Sequence, residues 1–217
     1  MSTFPGSPKL VKGGIVIADP DTLKINRVIA LQYNPDTLTR SLQPKSAGTD
    51  TSDRSEPLRL SGPPVETFRV EAEIDATDQL EIADSVAVKV GIQPQLAALE
   101  LLIYPTVAQL KSTLGLANSG TMEIAPMEAP LTLFIWSKNR IIPVRITEFS
   151  ITEEAFDPSL NPIRARISLG MRVLSTDDFD AGHKGSSLYL SYQQKKEQLS
   201  SQYKNVILNQ LGIDTIS

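Results

Sequence analysis

The only histidine of this 217-residue chain, His183, lies in the glycine-flanked string AGHKG. An imidazole can act as general base or metal ligand, but here no cysteine and no second histidine exists to complete such a site. It reads as a solvated loop residue. Asp177, Asp178 and Asp180 form a loose cluster of calcium-type ligands. They lack the fixed spacing and closing glutamate of an EF-hand loop. Acids also come in pairs, Glu71 with Glu73 and Glu153 with Glu154. Glycoside hydrolysis needs two carboxylates at a set separation across a sugar, and neighbours on one strand do not make that cleft. The chain has no G-x-S-x-G, no phosphate-binding P-loop and no H-E-x-x-H. Gly13-Gly14 precedes a strand instead of opening a helix, so it reads as a turn. The residue inventory points away from an enzyme and away from any cofactor.

The charges that remain are arranged in rows. In 162-PIRARISLGMRVL-174, Ile163, Ala165, Ile167, Leu169, Met171 and Val173 alternate with Arg164, Arg166, Ser168, Gly170 and Arg172. A period of two over this length predicts a long strand with one face on a core. In 67-TFRVEAEIDA-76, Phe68, Val70, Ala72 and Ile74 alternate with Arg69, Glu71, Glu73 and Asp75. One strand thus presents a basic face and the other an acidic one. Arg164, Arg166 and Arg172 can pair with acids of their own chain, or with a neighbouring subunit or a ring lumen. Both readings stand at this point.

Other elements must position these rows. Strands are predicted at 15–18 and 27–33, the second ending at Asn34-Pro35-Asp36. The stretch 43–64 is rich in Ser, Thr, Asp, Gly and Pro and reads as a long loop leaving a β-core. Asp78 can cap a short helical turn to about Asp84. Pro94 opens a helix with Leu96, Leu99 and Ile103 on one stripe, and Pro105 ends or kinks it. Residues 115–130 read as irregular. LTLFIW (131–136) and a return strand from about 141 form a hairpin around Ser137–Arg140. Within the return strand the phase shifts between Ile146 and Phe149, as at a β-bulge or between two separate strands. Residues 1–14 read as a flexible N-terminus, 15–176 as the β-domain and 177–186 as a linker. Residues 187–217 form a helical arm capped by Ser186 or Ser187, with Tyr192, Leu199, Tyr203 and Val206 on its stripe. Beyond a glycine-rich hinge, that stripe is either a packed domain helix or a partner-docking arm.

Composition narrows the partners. A net charge of −4 gives no basic excess for nonspecific nucleic-acid binding. The N-terminus lacks a signal-peptide core, and no run approaches the roughly 20 apolar residues that span a bilayer. Zero cysteines fit a cytosolic setting.

The strings LQYNPDTLTRSLQP, PVETFRVEAEIDATDQLE, GIQPQLAALELLIYP and PLTLFIWSKNRIIPVRITEFSITEEAFDPSLNPIRARISLGMRVLS occur in this order. Together they resemble the tube-domain family of contractile injection systems, phage-tail-like particles in which this family supplies a baseplate hub component beside the inner tube. The resemblance covers roughly residues 12–176. It implies a mainly β fold, a tail-tube-like barrel or sandwich with one packed helix, here with a C-terminal helical extension. It also implies a homo-oligomeric ring, expected to be hexameric, that contacts spike, inner-tube and baseplate wedge or sheath-initiator proteins in the cytoplasm. The family has no catalytic residues to carry over. Some relatives continue into a LysM module, which the short helical tail here does not match. Glu71, Glu73, Arg164, Arg166, Arg172, Tyr192, Leu199, Tyr203 and Val206 are the expected interface residues. The competing expectations are an inner-tube lattice protein and a carbohydrate- or calcium-binding β-sandwich.

Overall fold

The computed structural model describes residues 11–46, 60–118, 130–180 and 182–203, with the side chains of 116–118 excepted. Among them, seven strands form one antiparallel sheet. They are β1 (Gly14–Ala18), β2 (Ile25–Ala30), β3 (Leu38–Gln43), β4 (Val65–Asp75), β5 (Leu131–Ser137), β6 (Arg140–Phe156) and β7 (Pro162–Val173). Their order across the sheet is β2-β1-β5-β6-β7-β4-β3. The fold is mainly β, and the described residues include five α-helices: α1 (Thr77–Glu81), α2 (Ser85–Val90), α3 (Gln93–Glu100), α4 (Val107–Asn118) and α5 (Lys184–Ser200).

Topology forces this sheet to curl. Its two edge strands, β2 and β3, are consecutive in sequence, with only residues 31–37 between them. Seven flat strands would hold those edges roughly 29 Å apart, the full reach of the eight Cα–Cα steps from Ala30 to Leu38, and because β2 and β3 run parallel the link must also travel the length of a strand. The carboxamide of Gln32 marks the approach of the two sides. Its Oε1 accepts from the Asp75 backbone N–H at 3.0 Å, and its Nε2 donates to the Asp75 carbonyl at 2.7 Å. A side-chain amide thus takes the place of a peptide group beside β4. The result is barrel-like, with an inner and an outer face.

The interior holds the alternating apolar sets read from the sequence. Phe68, Val70, Ala72 and Ile74 of β4 are buried, as are Ala165, Ile167, Leu169, Met171 and Val173 of β7. Helix α3 covers the part of the interior nearest the start of β7, where Ile92, Leu96, Leu99 and Leu102 meet Ile15, Ile17, Ala165 and Ile167. Helix α5 covers the other part, where Tyr189 and Tyr192 meet Phe68, Phe134, Ile142, Met171 and Val173.

Local chemistry explains the element ends. Pro94 sits in the first turn of α3. Asp84 caps α2 by accepting from the N–H groups of Val86 and Ala87. After α2 the chain turns at Gly91 with φ of 58°, and a Cβ there would lie 2.1 Å from the Pro162 carbonyl oxygen. Only glycine fits both the left-handed backbone and that approach. The register between β6 and β7 shifts between Ile146 and Glu148. The phase change is therefore a bulge inside one long strand, and the two-strand alternative is set aside.

Several elements differ from the sequence reading. β2 ends at Ala30 and not at Tyr33, and β3 was not anticipated. Its residues LTRSLQ form an edge strand that is almost wholly exposed, so no hydrophobic alternation marks it. The α3 segment stops at Glu100, and a second helix, α4, follows Pro105. At the tail, α5 starts at Lys184 with His183 as its cap, earlier than Ser186 or Ser187. A 3-10 turn at Thr176–Asp178, with Ser175 and Asp178 forming a capping box, replaces part of the expected linker. At the N-terminal side of β1, the Asn34 side chain accepts from the Gly13 N–H and donates to the Val11 carbonyl, which holds residues 11–13 against the segment after β2.

Candidate interface surfaces

The outer face of β4, β7 and β6 carries the charged rows side by side. Antiparallel register sets Glu73 opposite Arg166, Asp75 opposite Arg164 and Arg69 opposite Gly170. Each arginine of β7 meets an acid of the same chain. Arg164 Nε donates to Asp75 Oδ2 at 2.6 Å and lies 3.6 Å from Glu73. Arg166 lies 3.3 Å from Glu154, and Arg172 donates to Asp178 at 2.8 Å. Across the strand at Gly170, Arg69 reaches Glu148 at 2.6 Å. A Cβ at Gly170 would lie 2.9 Å from the Cβ of Glu148, so the glycine leaves room for that bridge.

Within a single chain, each of these arginines thus has an acid at ion-pairing distance. Arg166 and Glu154 remain 58% and 30% exposed, so this pair adds little stability. Glu71 has no ion-pair partner among the described residues and faces water. The hydroxyls of Thr67, Thr147, Ser150, Thr152 and Ser168 share this wall through the strand alternation. The face is wet, polar and nearly charge-balanced.

Ionisation follows from these contacts. Burial opposes charge on Asp75, but the hydrogen bonds from Thr77 and the Arg164 guanidinium outweigh it and hold the carboxyl below its usual range. Asp178 behaves alike: burial is overcome by the Ser175 N–H and by Arg172. The hydrogen bond to Asp75 in turn raises the pKa of Arg164.

A second cluster fixes α5 to the sheet. Glu66 of β4 is only 3% exposed, yet it accepts from three donors. Arg40 Nε of β3 lies 2.7 Å away, the Tyr192 hydroxyl 2.8 Å and Lys196 Nζ 2.9 Å. The Lys196 ammonium also sits 3.9 Å from the centre of the Tyr192 ring. Burial, then the bond to Glu66, drives the Tyr192 phenol far above its ordinary pKa.

This cluster corrects the reading of Tyr192 as a partner contact. The side chain is 4% exposed and belongs to the interior of its own barrel. Its burial in the same cluster as Phe134 and Met171 makes α5 a packed domain helix. The far end of the stripe stays open, with Leu199 44% and Tyr203 71% exposed. Val206 lies outside the described residues.

His183 also departs from the reading as a solvated loop residue. Its Nδ1 accepts from the Gly185 N–H at 2.9 Å, and its ring stacks on Phe179 with centroids 4.6 Å apart. Gly185 is required there, since a Cβ would lie 2.3 Å from the Phe179 ring. The aspartates beside it are committed as well. Asp177 pairs with Lys45, and the Asp178 oxygens serve Arg172 and Ser175. The calcium alternative loses two of its three ligands to these contacts.

No helix among the described residues is long and apolar enough to cross a membrane. No protein-family model matches the chain, and no curated protein matches it.

Proposed function

We propose that this chain is a non-enzymatic structural subunit of a contractile injection particle. It forms a ring, six copies around a channel, that joins the spike hub to the inner tube and contacts the surrounding wedge or sheath-initiator proteins in the cytoplasm. The observation that carries this reading is how the resembling strings fall on the fold. They cover five of the seven described strands, β3 to β7, and the packed helix α3. The polar outer face supports the same role. A long wall of paired charges and hydroxyls suits a water-filled channel or a wet contact between rings, since dry interface cores are depleted of charge.

The test is copurification and imaging. A tagged full-length chain, isolated from its source cells, should bring down a sheathed particle, with the tag near the spike end by electron microscopy. Recovery of the chain free of any particle, under conditions where sheathed particles are present, contradicts the proposal.

A further inference from the structure

Helix α5 begins on a side chain whose capping role one proton can abolish. His183 is the N-cap, and its Nδ1 accepts from the Gly185 N–H at 2.9 Å. Helix caps are ordinarily Ser, Thr, Asn or Asp, whose oxygens go on accepting across the neutral range. An imidazole nitrogen accepts only while it is bare, so this cap needs the neutral ring with its hydrogen on Nε2. The imidazolium form carries a hydrogen on both nitrogens. Its Nδ1–H would face the Gly185 N–H, donor against donor, at the positive end of the α5 dipole.

Packing leaves the ring no second way to serve. It stacks on Phe179 with 4.6 Å between centroids and 10° between planes, and the same Phe179 ring lies against Gly185. A flip about Cβ–Cγ keeps the stack but turns Cδ2–H toward Gly185, which loses the cap as well. Charges of both signs face the ring. Asp21 of the β1–β2 turn, Asp178 and Asp180 ahead of α5, and Arg145 of β6 line the same cleft, and Lys184 follows on α5 itself. The segment after α3 and strand β5 contribute no charge to that lining. None of these groups restores the acceptor. An imidazolium paired with any of the carboxylates still has no lone pair on Nδ1 for Gly185.

We propose that His183 is an acid-released catch on α5, closed by the neutral ring and opened by its protonation. A bond that only the neutral ring makes is complete at high pH and disappears as the ring is protonated. Imidazole is the side chain that ordinarily changes charge between about pH 5 and 8, and His183 is the only one in the chain. Asp75 and Asp178 are held below the usual carboxylate range and stay charged there, so the catch acts apart from their titration. One turn beyond Gly185, Tyr189 is buried with Phe134 and Met171, so the first turn of α5 leads directly into the barrel interior. This device goes beyond the ring reading and does not depend on it.

The test uses the full-length chain labelled with heavy nitrogen at histidine alone, which gives one ring to observe. At about pH 8 its nitrogen spectrum should show Nδ1 bare and Nε2 protonated. Hydrogen exchange of the first turn of α5, read by mass spectrometry and corrected for the intrinsic effect of pH, should then lose about fivefold of its protection by about pH 5.5, in step with ring protonation. His183→Asn supplies a cap that does not titrate, so its protection should change by less than about twofold over the same range. A ring with its hydrogen on Nδ1 at the upper pH overturns the proposal. So does parent protection that holds through ring protonation, and so does an equal loss in His183→Asn. If circular dichroism shows His183→Asn misfolded, His183→Ser is read in its place by the same criteria.

Discussion

Replacing Glu66 with alanine removes the acceptor shared by Arg40, Tyr192 and Lys196. The Tyr192 hydroxyl would be left buried without this partner, a loss of about 1–3 kcal/mol. Breaking a buried ion pair typically costs about 3–5 kcal/mol. Here Arg40 and Lys196 keep 31% and 28% of their side-chain surface exposed, so water recovers part of their solvation. The expected total is about 3 kcal/mol, which lowers the melting temperature by roughly 6–12 °C for a domain of this size. Urea titration of the parent, Glu66→Ala, Tyr192→Phe and the double variant apportions the effect. Tyr192→Phe alone should cost about 1.5 kcal/mol and, in the Glu66→Ala background, less than about 0.5 kcal/mol. A Glu66→Ala loss below about 1 kcal/mol, or equal Tyr192→Phe losses in both backgrounds, refutes the clamp.

Other perturbations probe the rest of the fold. Removing the chain from residue 184 onward should leave a molten or aggregating β-domain that binds a hydrophobic dye, because Tyr189 and Tyr192 fill the interior beside Phe134 and Met171; a truncated chain with unchanged melting would reinstate a free arm. Asp75 and Asp178 have depressed folded-state pKa values, so their stabilisation is present above the unfolded value of about 4 and disappears as pH falls through the folded ones. Asp75→Asn should accordingly destabilise at pH 7 by about 1 kcal/mol and flatten the acid limb of the stability curve. A parallel shift of the whole curve would contradict the assignment. Gly91→Ala should cost at least about 2 kcal/mol, from the left-handed backbone and the contact with Pro162, and a change below about 0.5 kcal/mol in denaturant titration would be inconsistent with it.

Where a side chain alternates between core and water, the sequence was easy to read. The rows of β4 and β7 are legible because a buried face on a strand imposes a period of two. The β6 bulge is legible because an extra residue must shift that period. β3 was hidden because its residues lie at an edge, where few side chains are buried to impose a pattern. α4 did leave a trace in the box Thr106-x-x-Gln109 and the spacing of Val107, Leu110 and Leu114, but Pro105 masked it by suggesting an end. The clamp at Glu66 could not be read at all, since it joins residues 126 and 130 positions apart in sequence. His183 misled for a related reason. Its glycine neighbours suggest a loose loop, whereas Gly185 is small because the Phe179 ring lies against it.

Native mass spectrometry of the full-length chain under assembly conditions reads ring formation as a mass. A dominant species with the mass of six chains is expected. A chain that stays monomeric, or assembles only into two-fold dimers, contradicts the ring reading.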